Sequence, residues 1–175
     1  PVAVADTATT AEDTPLAITA ASLTANDTDV DGGALTVTAV GGAVNGTVAL
    51  AGGTVTFTPT ANASGTGSFT YTVSDGVATA TGTVTVTITA VNDPPVAVAD
   101  TATTAEDTPL AIAAASLTTN DTDVDGGALT VTAVGGAVNG TVALAGGTVT
   151  FTPTADASGT GSFTYTVSDG AATAT

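Results

Sequence analysis

The sequence predicts an all-β fold built as tandem seven-stranded Greek-key sandwiches. Three observations support this prediction: a long internal repeat, alternation of apolar and polar residues, and breaks rich in Gly, Pro, Asn and Asp. Period-two alternation is typical of a strand that buries one face. Seven such segments in a repeat of 94 residues fit a sandwich of the immunoglobulin-like kind.

A 94-residue repeat organises the chain. Residues 1–81 and 95–175 differ at only four positions, which are Thr19/Ala113, Ala25/Thr119, Asn62/Asp156 and Val77/Ala171. A unit of this size can bury its own core, so each repeat is expected to fold as an autonomous domain. The expected organisation is repeat 1 over 1–91, an Asn-Asp-Pro-Pro linker over 92–95, and repeat 2 over 96–175.

Repeat 2 lacks a counterpart of residues 82–91, which form the strongest strand segment of repeat 1. A free domain without that strand would expose apolar edges. We therefore expect the chain to be a piece of a longer array of repeats.

The seven predicted strands of a repeat are labelled A to G. They cover residues 2–9, 15–20, 34–40, 46–50, 54–58, 67–74 and 77–91. Asn45-Gly46 indicates a tight turn between C and D, because both residues tolerate positive φ. A short helical turn is expected over residues 21–26.

The alternation also predicts the core. The residues expected to point inward are Leu35, Val37, Val48, Leu50, Val55, Phe57, Phe69, Tyr71, Val73, Val84, Val86 and Ile88. Thr residues between them, such as Thr83, Thr85, Thr87 and Thr89, are expected to face water. Thr suits this role, because its branched Cβ favours extended backbone and its hydroxyl hydrates.

Composition excludes several classes of function. The chain carries 16 acidic residues and no Lys, Arg or His, so its formal net charge is −16. Nothing can neutralise phosphate, which argues against nucleic-acid partners and anionic membrane surfaces. No apolar run reaches the roughly 18 residues of a membrane helix, so no membrane insertion is expected.

The same composition argues against catalysis. Without His, Lys, Arg or Cys, general acid–base chemistry would fall to carboxylates alone. The six aromatic residues are mostly predicted core, so no aromatic-lined cleft for a sugar substrate is expected. We predict that the chain is not an enzyme.

The strand order predicts where the acidic loops meet. If the strands alternate in direction, loops AB, CD and EF lie at one end of a sandwich and BC, DE and FG at the other. The junction between repeats then gathers an acidic AB loop, the linker, and the BC and FG loops of the next repeat. The residues concerned are Glu12, Asp13, Asn92, Asp93, Asp121, Asp123, Asp125 and Asp169.

This gathering of carboxylates predicts a calcium site. Two unit charges about 4 Å apart repel by roughly 1 kcal/mol in water and about 4 kcal/mol at an effective dielectric near 20. A hard divalent cation with six to eight oxygen ligands would offset the repulsion, and Asp, Glu and Asn oxygens suit Ca²⁺. The alternative, that these are solvated turn residues, stays open at this point.

The Asp-x-Asp-x-Asp-Gly loop, residues 27–32 and 121–126, is the sharpest local signal. It matches the first half of an EF-hand loop, including the Gly. The position that needs a bidentate Glu is Thr38, however, and the flanking residues are predicted strands. The sequence is therefore not an EF-hand, although Asp residues spaced two apart on a tight turn still suit an oxygen cage.

Four segments together resemble the cadherin-like tandem repeats of large bacterial surface adhesins and biofilm proteins. They are Asn-Asp-Pro-Pro-Val-Ala-Val (92–98), Ala-Glu-Asp-Thr-Pro-Leu (105–110), Asn-Asp-Thr-Asp-Val-Asp-Gly (120–126) and Phe-Thr-Tyr-Thr-Val-Ser-Asp-Gly (163–170). The resemblance covers the whole chain. It implies calcium bound between successive sandwiches, which stiffens an extended extracellular stalk.

The resemblance also implies ligands. Those at the junction are Glu12, Asn92, Asp93, Asp121, Asp123, Asp125 and Asp169, and those one junction earlier are Asp29, Asp31 and Asp75. The chain departs from cadherins proper near the EF loop, where an acidic pair is replaced by Thr60-Ala61-Asn62 in repeat 1 and Thr154-Ala155-Asp156 in repeat 2. A single ion per junction is therefore plausible.

The expected function is that of a structural extender module of a large extracellular protein, with Ca²⁺ as cofactor and neighbouring identical repeats as partners. Two other functions stay open: a subunit of a laterally self-associating fibre or sheath, and a calcium-dependent glycan-binding module. The acidity is also compatible with a high-salt habitat, where a hydrated anionic surface keeps a protein soluble.

Overall fold

The computed structural model describes all 175 residues, and the chain divides into two units, Pro1–Val91 and Asn92–Thr175. The linker residues Asn92 and Asp93 thus belong to the second unit. Strands dominate both units, and each has one helix of four residues. Neither helix has the length or apolar character to cross a membrane.

Unit 1 is a sandwich of two sheets, with strand orders β1-β7-β6-β3 and β2-β5-β4. All pairs are antiparallel except β1 with β7, which run parallel. The predicted seven-stranded all-β fold is confirmed. The elements are β1 (Asp6–Ala11), β2 (Leu16–Thr19), α1 (Ala20–Leu23), β3 (Thr36–Val44), β4 (Gly46–Ala51), β5 (Thr54–Pro59), β6 (Gly65–Ser74) and β7 (Thr79–Thr89).

The structure corrects the first predicted strand, which was expected over residues 2–9. The observed β1 begins at Asp6, and Val2 makes only an isolated bridge to Thr28. Residues before Asp6 bond to a side chain and not to a strand, since the Asp27 carboxylate accepts a hydrogen bond of 2.7 Å from the Val4 backbone N–H. This bond ties the first residues to the loop before β3 instead of to a sheet.

Three smaller differences concern element ends. Strand β3 extends to Val44 instead of ending at residue 40, and two register shifts interrupt its pairing with β6. Strand β7 is two residues shorter at each end than the predicted 77–91. The expected helical turn over 21–26 is observed as α1, at residues 20–23.

The Asn45-Gly46 turn connects two sheets and is not a hairpin. Asn45 has φ of 56°, the left-handed conformation that its short polar side chain tolerates. Strand β3 before it pairs with β6, whereas β4 after it pairs with β5. The turn therefore passes the chain from one sheet to the other.

The predicted core is confirmed, with one addition. Eight of the residues expected inside are fully or almost fully buried, and Leu35, Val37, Val48 and Leu50 are partly buried against them. The rings of Phe57 and Phe69 stack across the two sheets at 5.9 Å. Leu23 on α1 also joins the core, and the four Thr residues of β7 are exposed as expected.

Loop contacts confirm the predicted ends of the sandwich. At one end the Asp13 carboxylate of the AB loop accepts a 2.9 Å hydrogen bond from the Asn62 N–H of the EF loop. Thr60 N–H in turn donates to the Asn45 carbonyl of the CD turn. At the other end Ala20 N–H, just after β2, donates to the carbonyl of Gly53 in the DE loop.

Unit 2 repeats this arrangement with fewer strands. Its sheets have the orders β10-β11-β8 and β13-β12-β9. Residues 100–105, the counterpart of β1, form no strand, and β12 has 7 residues where β6 has 10. The elements are β8 (Leu110–Ala113), α2 (Ala114–Leu117), β9 (Thr130–Val138), β10 (Gly140–Ala145), β11 (Thr148–Pro153), β12 (Ser162–Ser168) and β13 (Thr173–Ala174).

Gly82 shows how closely β7 approaches the sheet beside it. A Cβ placed on this residue would lie 2.4 Å from two ring carbons of Tyr71. That ring is fully buried and its hydroxyl is hydrogen-bonded, so it has no space into which to move. Only glycine fits at this position.

We expect Gly82→Ala to lower the free energy of unfolding of unit 1 by about 1–3 kcal/mol, the usual range for overpacking a core. Thr83→Ala is the matched control, because Thr83 is the exposed neighbour and its loss should cost less than about 0.5 kcal/mol. Urea unfolding followed by circular dichroism measures both values. Equal stability of the two variants would contradict the close packing of β7 on Tyr71.

Candidate metal site

The Asp-x-Asp-x-Asp-Gly loop has the same local geometry in both units. Asp29 Oδ1 accepts a 2.9 Å hydrogen bond from Asp31 N–H, and Asp123 Oδ1 accepts the same bond from Asp125 N–H. Such a bond from a carboxylate to the backbone two residues on stabilises the turn. In each loop, Oδ1 of the aspartate therefore stabilises the turn. The second oxygen, Oδ2, takes no part in this hydrogen bond and is available to another ligand.

The loop between β12 and β13 holds its aspartate in a similar way. Asp169 Oδ1 accepts hydrogen bonds of 2.6 Å from the backbone N–H groups of Ala171 and Ala172. The pKa of Asp169 is lowered by these bonds and by one from Asn92. Asp75 in unit 1 is held by the same two backbone bonds, and its pKa is likewise lowered. Both carboxylates are thus stabilised in the charged form that a metal ion needs.

The linker residues attach to these two loops within unit 2. Asn92 Nδ2 donates to Asp169 Oδ2 at 2.9 Å, and Asp93 N–H donates to Asp125 Oδ2 at 2.7 Å. The structure therefore brings together Asn92, Asp93, Asp125 and Asp169 as predicted, with Asp123 in the same turn as Asp125. Their roles as metal ligands stay a prediction.

In unit 1 the nitrogen of Pro1, the first residue of the sequence, lies beside Asp29. The positively charged amino group of Pro1 is 2.9 Å from Asp29 Oδ2, in the chain's only ion pair. A hydrogen bond to Asp29 raises the pKa of this amine, and the negative charges of Asp29, Asp75 and Asp31 raise it further. The three predicted acidic residues of unit 1 thus act together on one positive group.

Unit 2 has no such partner at the equivalent atom. Pro95, the counterpart of Pro1, carries its nitrogen in a peptide bond. Asp123 Oδ2 is buried and has no hydrogen-bond partner. A buried carboxylate oxygen without a partner is costly unless an ion or a donor compensates for it. Asp123 Oδ2 is therefore an uncompensated oxygen in unit 2.

The donor set fits calcium in chemical type, because every candidate atom is an oxygen of Asp, Asn or the backbone. The side chains are not gathered into a ready-made centre, since no three acidic residues lie close enough together to hold a metal ion. Backbone N–H groups bind the carboxylates of Asp125 and Asp169 instead. Calcium would have to replace some of these hydrogen bonds.

Glu12 lies at the other end of unit 1 and is only 3% exposed. Its Oε1 accepts a 2.6 Å hydrogen bond from Val91 N–H, the last residue of the unit, and its own N–H donates to the carbonyl of Thr89. Glu12 therefore fastens the chain just after β7. Whether it also binds a metal stays a prediction.

Asp121 has a partner set of its own. Its Oδ1 accepts hydrogen bonds from Val98 N–H at 2.7 Å and from the Tyr165 hydroxyl at 3.1 Å, and the residue is 9% exposed. Asp27 makes the same contacts with Val4 and Tyr71 in unit 1. This carboxylate joins the first extended segment to the core within one unit. Its predicted role as a metal ligand is untested by this geometry.

Sequence reasoning missed the two tyrosines, because the alternation of β6 marked Tyr71 only as an apolar core residue. Its hydroxyl also donates to the Val4 carbonyl, at 2.9 Å. Burial raises the pKa of Tyr71 far above its ordinary value, and the hydrogen bond to Asp27 adds to that rise. A buried tyrosine hydroxyl normally finds a partner, and this requirement was the available signal.

Asp6, at the start of β1, was missed as well. Its Oδ1 accepts a hydrogen bond from Asn26 Nδ2 at 3.2 Å, whereas its Oδ2 is buried without a partner. Burial raises the pKa of Asp6, the nearby Tyr71 hydroxyl lowers it in part, and the charge of Asp27 raises it again. The ionised form of Asp6 is therefore less stable in the folded chain than in the unfolded one.

The chain belongs to the cadherin-like domain family. The model of that family matches it twice, over residues 1–89 and 91–175, which confirms the resemblance drawn from the sequence motifs. No curated protein matches the chain.

Similar solved structures include an enzyme and a titin chimera. The endo-fucoidan hydrolase MfFcnA4 of glycoside hydrolase family 107 is 22% identical with a TM-score of 0.34, and 99% of this chain aligns with 26% of that one. A chimeric titin Z1Z2 carrying a KLER peptide from decorin is 10% identical with a TM-score of 0.27, with 99% and 89% covered. This chain thus spans about a quarter of the hydrolase, and likeness at these TM-scores carries no functional inference.

We expect Asp6→Asn to raise the melting temperature of unit 1 at pH 7, because the amide keeps the acceptor oxygen and removes a buried charge. The folded pKa of Asp6 is raised, so its contribution to stability is fully present below the unfolded value of about 3.9 and is lost as pH rises through the folded value. The gain from Asn should therefore disappear near pH 3. Calorimetry at both pH values measures it.

Asp100→Asn is the matched control, since Asp100 is the exposed counterpart of Asp6 in unit 2. It should leave both transitions unchanged at either pH. A gain from Asp6→Asn that is equal at pH 3 and pH 7 would show that charge at this position is not the cause.

Proposed function

We propose that the chain is a structural extender module of a large extracellular protein, and that calcium makes it stiff. The observation that carries this proposal is Asp123 Oδ2, a buried carboxylate oxygen with no partner. Because the chain has no Lys, Arg or His, a cation from solution is the group that would compensate the charge of Asp123 Oδ2.

The residues that would hold the ion in unit 2 are Asn92, Asp93, Asp123, Asp125 and Asp169. Bound calcium would supply positive charge and oxygen coordination at the end of the unit where the linker enters. Because Asn92 and Asp93 already contact the two acidic loops, an ion there would fix the linker onto unit 2. Extracellular calcium modules typically bind with a Kd of about 10⁻⁴–10⁻³ M, which suits a site that also contains Asn and backbone oxygens.

Restraints act on both sides of the peptide bond between Val91 and Asn92. Glu12 binds Val91 within unit 1, whereas Asn92 binds Asp169 within unit 2. Pro94 and Pro95 then restrict the backbone that follows, because each ring locks its φ angle. A linker restrained in this way would bend little. The length of such a protein would then grow with the number of repeats.

The proposed role is not catalytic, and the proposed partners are neighbouring repeats of the same polypeptide. The acidic residues with shifted pKa values are Asp6, which accepts a hydrogen bond from Asn26, and Asp75 and Asp169, which accept hydrogen bonds from backbone N–H groups. We propose an extracellular location, since weak calcium sites are filled where the ion is abundant.

Calcium titration by isothermal calorimetry tests the site. Asp123→Asn should weaken binding by about tenfold or more, because one charged ligand oxygen is lost. Asp156→Asn is the matched control: it removes an acidic residue of the same unit and restores the Asn that repeat 1 has at this position. It should bind calcium like the parent chain.

Failure of the parent chain to bind calcium at millimolar concentrations would overturn the site. Equal weakening by Asp123→Asn and Asp156→Asn would show instead that calcium responds only to overall negative charge. Circular dichroism of each variant without calcium checks that the units stay folded.

Small-angle X-ray scattering tests the stiffening. Adding calcium should narrow the distribution of distances between the two units, and a chelator should broaden it again. Asp169→Ala should remove the response while leaving each unit folded, because its loop lies at a surface turn. A scattering profile unaffected by calcium, in a chain shown by calorimetry to bind the ion, would retain the site and reject the mechanical role.

A further inference from the structure

Strand β4 forms one edge of its sheet. In the order β2-β5-β4 it pairs with β5 on one side, and no strand pairs with its other side. In unit 2, β10 has the same sequence, Gly-Thr-Val-Ala-Leu-Ala, and the same edge position. An edge strand presents a row of unpaired backbone N–H and C=O groups that can pair with another chain. Proteins usually protect such edges with charges, prolines, bulges or short strands.

The other edge strands of unit 1 each have such a protection, whereas β4 has none. Strand β1 begins with Asp6, β2 has only four residues and follows Pro15, and two register shifts interrupt β3. Strand β4 has six residues in unbroken register with β5, and it contains no charged residue and no Pro. Its edge is therefore open to pairing.

Charge also distinguishes this part of the surface. No acidic residue occurs between Asp31 and Asp75, or between Asp125 and Asp156, so β4, β5 and their counterparts in unit 2 are uncharged. Two copies of a chain with a net charge of −16 repel each other over most of their surface. The β4 and β10 edges allow two copies to meet without bringing carboxylates together. The partner that fits an uncharged edge on such a chain is therefore the same edge of a second copy.

The apolar side chains of β4 lack full cover. Val48 and Leu50 pack against the core but are only partly buried, whereas Phe57 and Val55, which lie opposite them on β5, are fully buried. The counterparts of Val48 and Leu50 in β10 are partly buried as well. A strand added beside β4 would cover the part of these side chains that is still exposed.

The pairing of β4 with β5 shows which backbone groups face the free edge. Gly46 lies opposite Pro59, which has no N–H, so these two residues cannot exchange a pair of hydrogen bonds. Thr60 N–H donates instead to the Asn45 carbonyl at 3.2 Å, as expected beside a non-hydrogen-bonded pair. The N–H and C=O of Gly46 therefore point away from β5.

The direction of the backbone groups then alternates along β4, because the two types of pair alternate in an antiparallel ladder. Val48 and Leu50 follow Gly46 at every second position, so their N–H and C=O groups also point to the free edge. Those of Thr47 and Ala49 point to β5. The free edge thus presents the backbone groups of alternate residues, as a pairing strand requires.

We propose that the β4 and β10 edges are self-association sites, and that each binds the same edge of a second copy of this chain. The two strands pair antiparallel and join two three-stranded sheets into one continuous sheet. Side chains alternate between the faces of a sheet, so residues on the same face must lie opposite each other. Placing Val48 opposite Val48 meets this condition and pairs Gly46 with Leu50. The three resulting pairs of edge-facing residues form about six backbone hydrogen bonds.

Each chain carries two such edges, one in each unit. A chain that binds one copy through β4 therefore keeps β10 for another, and association is not limited to dimers. No acidic residue takes part in the pairing, so it does not depend on the proposed calcium site.

Sedimentation equilibrium of the whole chain, from micromolar to millimolar concentration and with a chelator present, tests the association. We expect reversible self-association that becomes stronger as sodium chloride is added, because salt screens the repulsion between the acidic copies. The chelator keeps this result separate from that of the calcium titration.

Hydrogen exchange locates the contact within the chain. The amides of Val48 and Leu50 should exchange slowly in concentrated samples and rapidly in dilute ones, because only a second copy bonds to them. The amide of Ala49 is bonded to β5 and should exchange slowly in both.

Ala49→Asp combined with Ala143→Asp should weaken association by about tenfold or more, because the carboxylates of the two paired strands would lie on a diagonal about 7–8 Å apart. Ala17→Asp combined with Ala111→Asp is the matched control. Ala17 lies opposite Thr56 as Ala49 does, and it is also exposed, but it belongs to the other edge of the sheet. The control has the same net charge and should associate nearly as well as the parent chain.

A chain that stays monomeric at millimolar concentration in high salt would overturn the proposal. Equal weakening by the two double variants would also overturn it, since the copies would then respond only to net charge. Association without slowed exchange at Val48 and Leu50 would mean that the copies meet through another surface. Circular dichroism of both variants checks that the units remain folded.

Discussion

The pairing of β7 with its two neighbours is the interaction on which the rest of unit 1 depends. This strand joins β6 to β1 and contributes Val84, Val86 and Ile88 to the core. Unit 2 has nearly the same sequence but contains only the first residues of the strand that corresponds to β7. There the segment matching β1 forms no strand, β12 is shorter than β6, and Tyr165 is partly exposed. The hydrogen bonds of a central strand thus decide whether its neighbours are strands at all, because an edge segment of polar and small residues has no other reason to be extended.

The second constraint is electrostatic. With 16 acidic side chains and no basic ones, the chain cannot stabilise its carboxylates by ordinary salt bridges. It uses backbone N–H groups instead: Glu12 binds Val91, and Asp75 and Asp169 each bind two such groups in their own loops. Hydrogen bonds to a carboxylate are stronger than those between neutral groups, so this arrangement keeps the acids charged and the loops ordered.

The acidic residues of one loop have different tasks. Asp27 and Asp121 fasten the first extended segment through a backbone N–H and a buried tyrosine. Two residues further on, Asp29 and Asp123 each use one oxygen to shape the turn, and the other oxygen of Asp123 is buried without a partner. A loop that looks like a uniform acidic run therefore combines a structural anchor with a candidate ion ligand. Substituting the anchor would disturb folding, whereas substituting the ligand would disturb binding.

The sequence by itself determined the repeat, the all-β class, the inward-facing residues and the meeting of the linker with two acidic loops. Each of these depends on local periodicity and chain connectivity, which are written in the order of residues such as Val84, Val86 and Ile88. Only the tertiary structure decided that β1 begins at Asp6, that Tyr71 bonds to Asp27, and that Asp123 Oδ2 is buried without a partner. These features depend on which atoms from distant parts of the chain come within hydrogen-bonding distance, and no pattern of neighbouring residues carries that information.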